Sequence, residues 1–213
     1  VHVTPAGAGN RSPRADPRMR GGVVGLSLGD ASLDELARLY LAAAQALAYQ
    51  TRQIVDALEA AGHAPVRELY ACGGLAKNAL YVQAHADALR APVYLPAEDE
   101  AVLLGAAILG AAAGGAHASV GDAMAAMTAV GGAVYPNDDA EVAAYHERKY
   151  AVFVRMADDQ AAYRAMMEAK AEPVRSEDKK AAKASPGASR VEFPAKFSSA
   201  DRMRDYSGRI HGS

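Results

Sequence analysis

The chain has 213 residues, 51% of them hydrophobic, which is enough for one globular domain with a substantial core. Its formal net charge of −2 gives no electrostatic reason to expect binding to nucleic acid or to an anionic membrane surface. The single cysteine excludes an internal disulfide framework and fits a reducing compartment, so we expect a cytoplasmic protein.

The N-terminal part of the chain predicts a strand followed by a long helix. Residues 1–8 show no usable pattern and are treated as a leader or loop remnant, whereas the run 23–28 is typical of a strand. Ser32, with Glu35 three residues later, predicts a capping box at the start of a helix that ends at Gly62. One face of this helix is expected to carry six apolar residues: Leu36, Tyr40, Leu47, Ile54, Val55 and Leu58.

A glycine pair, Gly73-Gly74, is the most informative local feature of the chain. Apolar residues over 66–71 predict a strand before it, and apolar residues at helical spacing predict a helix after it: Leu80, Tyr81, Ala84, His85, Ala88 and Leu89. Glycines at such a turn let the backbone approach a ligand, and free N–H groups at the next helix favour an anion or a polar edge. Asn78 adds a carboxamide that can both donate and accept. The same pattern is also common as a plain chain reversal, so the pattern by itself leaves both interpretations open.

The C-terminal half predicts a further strand and three helices. Prolines enclose a short strand at 93–95, and Glu100 begins a helix whose apolar run, 101–113, is too short for a membrane span. A short helix over 120–127 follows, and then a long terminal helix marked by six large residues: Tyr145, Tyr150, Phe153, Met156, Tyr163 and Met167. This order of strands and helices predicts an α/β fold.

From about residue 171 the composition changes to Lys, Glu, Ser, Pro and Ala, with few large apolar residues. Such a segment cannot bury enough surface to order itself, so we expect residues 171–213 to form a disordered tail. Two short stretches in it, 191–193 and 203–210, are candidates to dock on a partner.

Four blocks, taken in order, resemble the C-terminal half of the FGGY carbohydrate kinases. They are Gly9-Asn10-Arg11-Ser12-Pro13 with its continuation to Leu26, then Ala48-Tyr49-Gln50-Thr51-Arg52, then Gly73-Gly74 through Asn78, and finally Glu100 through Gly105-Ala106-Ala107. Together they cover roughly residues 4–170. The sequence Asn-Arg-Ser-Pro in the first block is most similar to the ribulokinase branch of the family.

The resemblance implies an actin-like ATPase domain of the ribonuclease H-like type over residues 9–170. It implies an enzyme that transfers the γ-phosphoryl group of ATP, carried with Mg²⁺, to the hydroxyl of a sugar, most simply a ketopentose such as ribulose. In the family the catalytic aspartate and the magnesium-binding acidic residues lie in the N-terminal half. We therefore assign no catalytic residue and no metal ligand here, name the missing N-terminal half as a partner, and expect this chain to be inactive without it.

The resemblance also implies where the nucleotide binds. In the family the second glycine of the pair and the asparagine four residues on contact the nucleotide, which places those contacts on Gly74 and Asn78. Gly73 is expected to shape the turn itself. Lys77 is read as solvated, and Gly105 with its two following alanines as packing that supports the turn.

The first block is expected to line the cleft between the two halves with Asn10, Arg11 and Ser12. Arg11 suits a phosphate or a sugar because its guanidinium is always charged and donates in pairs. An alternative is that Arg11 braces the loop against Asp16. Residues 6–8, just before this block, read Ala-Gly-Ala. Ribulokinase-like members more often have a pair there, made of an acidic or aromatic residue and a histidine. This difference weakens the case for sugar contact by this loop.

Other chemistries have less support in the sequence. The six histidines show no paired metal-ligand spacing, and Cys72 is read as a small residue at a strand end rather than a nucleophile. Neither a dinucleotide fingerprint nor a Walker-type phosphate loop occurs. The competing functional hypothesis is a non-catalytic association module derived from a truncated sugar kinase, which would expose its cleft face and could form a homodimer.

Overall fold

The computed structural model describes residues 1–27 and 32–168. In chain order their elements are β1 (His2–Thr4), β2 (Gly22–Val24), α1 (Leu33–Ala60), β3 (Leu69–Tyr70), a 3₁₀ turn (Gly74–Lys77), α2 (Ala79–Leu89), β4 (Val93–Pro96), α3 (Ala101–Ala113), α4 (Val120–Met127), β5 (Val130–Val134) and α5 (Ala140–Glu168). The α/β class is confirmed. None of the helices in this part of the chain is both long and apolar enough to span a bilayer. The tail expected at 171–213 lies outside the described residues.

The strands form two separate sheets. β1 pairs antiparallel with β2, and β1 lies in the segment for which the sequence predicts no structure. The strand expected over 23–28 ends at Val24, and residue 28 is outside the described part. In the larger sheet, of order β3-β4-β5, β3 and β4 are parallel and β5 is antiparallel to β4. Because β3 and β4 are parallel, their carboxyl ends meet at one edge of that sheet.

Helix α1 begins and ends close to the residues that the sequence predicts. The Ser32 hydroxyl accepts a hydrogen bond from the Glu35 N–H at 3.3 Å, as an N-cap should. The Glu35 carboxylate pairs with Arg38 at 2.7 Å, so the reciprocal bond of a full capping box is not the contact it makes. At the other end the N–H groups of Gly62 and His63 donate back to the last turn in the pattern of a Schellman motif.

The buried face of α1 differs from the predicted one. Leu36, Tyr40 and Leu58 are exposed, whereas the buried residues are mostly small: Ala42, Ala44, Gln45, Ala46, Ala48 and Tyr49. The prediction followed the large apolar residues and was wrong for these three. A face of alanines lets a second helix approach closely, so burial here follows from the partner and not from side-chain size.

Helix α2 is buried on two sides. On one side Ala84 and Ala88 pack against the alanine face of α1 and against α5. On the other side Val82 and Ala86 pack against the sheet at Val93. Helix α2 therefore contacts both the helical layer and the sheet.

Polar contacts join the C-terminal half of α1 to α2 and α5. The buried pair of Tyr49 and His146 is linked at 2.9 Å between the hydroxyl and Nδ1. The Arg52 guanidinium makes two bonds to the Glu147 carboxylate, at 2.8 and 2.9 Å, and donates to the Ala88 carbonyl at 3.2 Å. The second sequence block, 48–52, thus carries contacts that hold three helices together.

Helix α3 packs on α4. Ala106 and Ala107 are exposed, and nothing lies within 4 Å of the position of a Cβ on Gly105. The expectation that these small residues pack closely beneath the glycine turn is therefore wrong. Val102 and Leu103 are also exposed, so most of the apolar surface of α3 is uncovered by the described residues.

We expect the stability of the fold to decrease as the pH falls below about 6.5. Burial lowers the pKa of both His85 and His146 from the ordinary value of 6.5. Between the pKa of each histidine in the folded chain and its pKa in the unfolded chain, the unfolded chain binds more protons. Over that pH range each histidine contributes a slope of up to about 1.4 kcal/mol per pH unit to the free energy of unfolding. Urea unfolding between pH 7.5 and 5.5 measures this directly.

In the same experiment His146→Gln should flatten the pH dependence, because glutamine carries no titrating proton. His63→Gln, which changes an exposed histidine, serves as the matched control and should leave the slope unaltered. A free energy of unfolding that does not change over this pH range in the unsubstituted chain would contradict the assignment of the two buried histidines as neutral.

Candidate functional site

The glycine pair turns the chain from β3 into a 3₁₀ segment before α2 begins. Gly73 has φ +87° and ψ −176°, a conformation that is open essentially to glycine only. The Ala76 N–H donates to the Gly73 carbonyl at 3.1 Å and closes the turn. Gly74 has nothing within 4 Å of the position of a Cβ, so the chain is open to a ligand at this residue.

Asn78 is held in place on two sides. Its Oδ1 accepts the N–H groups of Leu80 and Tyr81, at 3.1 and 3.3 Å, and so caps α2. Its Nδ2 donates to the Tyr40 hydroxyl at 2.7 Å. An amide nitrogen carries two hydrogens, so one N–H of the fixed carboxamide is left to donate to a further acceptor.

The cap changes what the start of this helix can offer a ligand. The sequence predicts free N–H groups after the glycine pair that would favour an anion. In the structure two of them are used by Asn78. A ligand at this turn therefore meets the Asn78 side chain and the open backbone at Gly74 rather than a row of free helix donors.

Two cavities border the turn. Gly73 and Lys77 line the first, a cavity of about 550 Å³ at the carboxyl ends of β3 and β4, which we call the sheet-end cavity. Gly74, Tyr81 and His85 line the second, of about 440 Å³, which also includes Thr51 of α1. Both volumes lie in the range of small-molecule sites, and the crevice outside the carboxyl ends of parallel strands is where open α/β sheets bind ligands.

An ion pair lies at the sheet-end cavity. The Lys77 ammonium is 3.0 Å from the Asp99 carboxylate, and the bond to Asp99 raises the pKa of Lys77. Lys77, expected to be solvated, is exposed and paired. Within residues 1–27 and 32–168 no three His, Cys, Asp or Glu side chains are grouped so that they could hold a metal ion.

The loop at 9–17 is a second, separate turn. Gly9 has φ +92°, and a Cβ there would lie 2.8 Å from the Pro17 Cα, so only glycine fits. Asn10 is buried: its backbone pairs with that of Asp16 at 2.9 and 2.8 Å, and its Oδ1 accepts the Arg14 N–H at 3.1 Å. Of the three residues expected to line a cleft, Asn10 thus holds the loop together, Ser12 is half-buried and Arg11 is exposed.

Other arginines brace this loop. Asp16 pairs with Arg164 at 2.7 Å, and Arg14 pairs with Asp158 at 2.8 Å, so both contacts anchor the loop to α5. The alternative that Arg11 braces the loop against Asp16 is wrong, since that carboxylate is taken by Arg164. Arg11 remains exposed and makes no ion pair with the residues that the structure describes.

The structure brings Gly73, Gly74 and Asn78 into one turn, but no hydrogen bond or ion pair within the described ranges joins loop 9–17 to it. The site also includes Tyr40, which the sequence predicts on the buried face of α1. Tyr40 is 55% exposed, and its hydroxyl reaches a residue 38 positions away in the chain. Periodicity carries no signal for a contact of this kind, because it depends on how α1 crosses α2.

Comparisons with known proteins agree with one another. The model of the C-terminal domain of the FGGY family of carbohydrate kinases matches residues 1–114. A human protein described as FGGY carbohydrate kinase domain-containing is 50% identical over 167 residues, which cover 78% of this chain and 30% of that protein. A D-ribulokinase from Saccharomyces cerevisiae is 42% identical over 106 residues, covering 49% of this chain and 14% of the relative. The chain thus spans less than a third of the length of these relatives.

Solved structures show the fold. The xylulose kinase from Rhodospirillum rubrum matches with a TM-score of 0.60 and 27% identity, over 76% of this chain and 31% of that one. The glycerol kinase from Plasmodium falciparum, solved with ADP, matches with a TM-score of 0.58 and 20% identity, over 73% of this chain and 30% of that one. The expected actin-like ATPase fold is confirmed.

The two roles of Asn78 can be separated by substitution. Asn78→Ala removes the cap of α2 and should lower the free energy of unfolding by about 1 kcal/mol. Asn78→Asp keeps the oxygen that accepts the Leu80 and Tyr81 N–H groups, so its stability should stay within about 0.5 kcal/mol of the unsubstituted chain. Urea unfolding compares them, and equal losses in both variants would contradict the capping role.

Proposed function

The chain belongs to the FGGY family of carbohydrate kinases, and we propose that it supplies the nucleotide-binding part of an ATP-dependent sugar kinase. Since the chain spans about 30% of the length of its human relative, the activity of the whole protein is part of this proposal. The observation that carries it is the turn at Gly73-Gly74-Asn78, where open backbone and a fixed carboxamide lie next to cavities of suitable size. The cytoplasm is the compartment that fits a kinase using ATP.

The residues of the turn suit the edge of a nucleotide. Asn78 presents a donor whose direction is set by Tyr40 and by the start of α2, so little side-chain freedom is lost on binding. Gly74 has no side chain to obstruct a ring or a ribose that lies against the backbone. The glycerol kinase from Plasmodium falciparum, which shares the fold, was solved with ADP, and this supports a nucleotide as the ligand.

The phosphates and the metal need groups beyond this turn. Bound ATP would supply the transferred phosphoryl group, and its Mg²⁺ would be carried with the nucleotide. Lys77 lines the sheet-end cavity as a cation and could turn from Asp99 towards a phosphate. We place no catalytic base in this chain and assign that role to the N-terminal half, which we propose as its partner.

A ketopentose such as ribulose is the proposed acceptor. The D-ribulokinase of Saccharomyces cerevisiae, at 42% identity, and the Asn10-Arg11-Ser12 block support this choice. Arg11 is the residue of that block with an exposed and unshared guanidinium among the described residues, so it is the one we propose to face the sugar or a phosphate.

The nucleotide proposal predicts saturable binding of Mg·ATP to this chain in a calorimetric titration. Asn78→Asp and Asn78→Ser keep a helix cap but lose the amide donor, and each should weaken binding about tenfold. Gly74→Val should weaken it at least as much, because the branched side chain fills the open position beside the turn. Asn78→Ser is included because it adds no negative charge near the phosphates.

Gly110→Ala is the matched control, since a Cβ there also meets open space but lies in α3. It should leave the affinity unchanged. A chain with an unaltered urea midpoint that shows no saturable Mg·ATP binding, or that binds equally well in all variants, would refute the proposed site.

A second candidate function, association without catalysis, has a specific observation in its favour. Leu33 and Leu36 at the start of α1 and Val102 and Leu103 at the start of α3 are exposed, with Leu33 and Val102 more than four-fifths so. Apolar surface of this kind is normally covered in a stable assembly. A homodimer is the cover that this second function requires, whereas in the kinase proposal the N-terminal half covers the same surface.

The two functions are separated by a chimeric protein in which residues 1–168 replace the matching segment of the human relative. The kinase proposal predicts ATP-dependent phosphorylation of at least one sugar in a panel of pentoses and polyols, with Arg11→Ala raising KM more than it lowers kcat. Phosphorylation is measured as the amount of ADP released. A folded chimera that phosphorylates nothing, together with a stable dimer of the present chain by light scattering, would favour the association function instead.

A further inference from the structure

A third cavity lies away from the glycine turn, between β1, α1 and α5. Its volume is about 400 Å³, and four basic side chains are among its lining: His2, Arg38, Arg148 and Lys149. None of these residues lines either cavity beside the turn. We call this third cavity the basic cavity.

The Lys149 ammonium in the basic cavity contacts neutral groups. Its ammonium donates to the Gln45 Oε1 at 2.8 Å and lies 5.5 Å from the centre of the Tyr145 ring. Gln45 is itself buried, at 5% exposure, and also accepts a bond from the Tyr145 hydroxyl. These contacts fix the position of the ammonium, but they do not neutralise it.

The two arginines add to this charge. Arg148 is exposed and forms no ion pair within the described part of the chain. Arg38 pairs with Glu35 one turn earlier on α1, at 2.7 Å, so a ligand would share this guanidinium with a carboxylate. No aspartate or glutamate is among the described residues that line the cavity.

The remaining lining residues give the cavity an apolar wall. Leu41 of α1 and Val152 of α5 are both among its lining residues. Burial, and then the neighbouring Lys149 ammonium, lower the pKa of His2. A concave site with a few convergent charges and apolar walls is typical of small-molecule binding.

We propose that the basic cavity binds a phosphate-bearing small molecule, with Arg38, Arg148 and Lys149 around the phosphate and Leu41 and Val152 against its organic part. Arginine can grip a phosphate with two parallel hydrogen bonds, whereas lysine acts on it as a point charge. An anion of this kind would balance the charges of Arg148 and Lys149, for which the described residues provide no carboxylate partner. The proposal does not depend on nucleotide binding at Gly74 and Asn78.

The shape of the cavity favours a soluble phosphate over a lipid headgroup. A membrane surface is met by an extended basic face, whereas here the basic residues line a cavity of about 400 Å³. Since the shared chemistry is the phosphate, the experiment includes both sources.

The test is a titration of the full chain with inorganic phosphate, pyrophosphate and glucose 6-phosphate. Binding is monitored by calorimetry and by backbone amide shifts in NMR. Glucose is the uncharged comparison. We expect saturable binding of at least one of the three phosphates and none of glucose. Arg148→Gln and Arg38→Gln should each weaken it about tenfold, because each removes a charge-assisted contact.

Arg155→Gln is the matched control, since Arg155 lies on α5 outside the cavity and pairs with Asp159. It should bind as the unsubstituted chain does. The proposal is overturned if none of the phosphates saturates, or if the two cavity variants and Arg155→Gln weaken binding equally. It is overturned as well if the chain sediments with vesicles containing anionic lipid while none of the soluble phosphates binds.

Discussion

The position of the glycine turn and of Asn78 depends on how closely α2 packs between two layers. Alanines on α1 and α2 allow the two helix backbones to approach, and Val82 and Ala86 bury the opposite side of α2 against the sheet. A larger side chain at the buried alanines would push the layers apart. The start of α2, where Asn78 lies, is thus held by the core itself.

The C-terminal half of helix α1 bonds to neighbouring helices, whereas its N-terminal end is largely exposed. Towards its C-terminus, Tyr49 and Arg52 bond to α5, and Arg52 also bonds to the end of α2. Towards its N-terminus, Leu33 and Leu36 are exposed, but Tyr40 still reaches Asn78. The N-terminal half of α1 therefore carries both the contact to the glycine turn and the exposed apolar residues that we propose the kinase partner covers.

Asn78 contributes both to the stability of the domain and to its proposed binding of a ligand. One oxygen caps a helix, one N–H is used by Tyr40, and one N–H is left for a ligand. The residue type could be singled out from the strand-glycine-glycine-helix pattern. Its cap and its tyrosine partner could not, because the 3₁₀ turn moves the start of α2 and because Tyr40 is 38 residues away.

Sequence alone determined much of the local structure of this protein, and the family to which it belongs. The helices over 120–127 and from Ser32, the turn at Gly73 and the α/β order depend on short-range capping, on backbone freedom and on periodicity. Only the tertiary structure decided which face of α1 is buried, that Arg164 rather than Arg11 pairs with Asp16, and that Lys77 meets Asp99. Alanine has too little apolar surface to mark a buried face in a periodicity pattern, and the two ion pairs join residues that are distant in the chain. Their geometry exists only after the helices have packed.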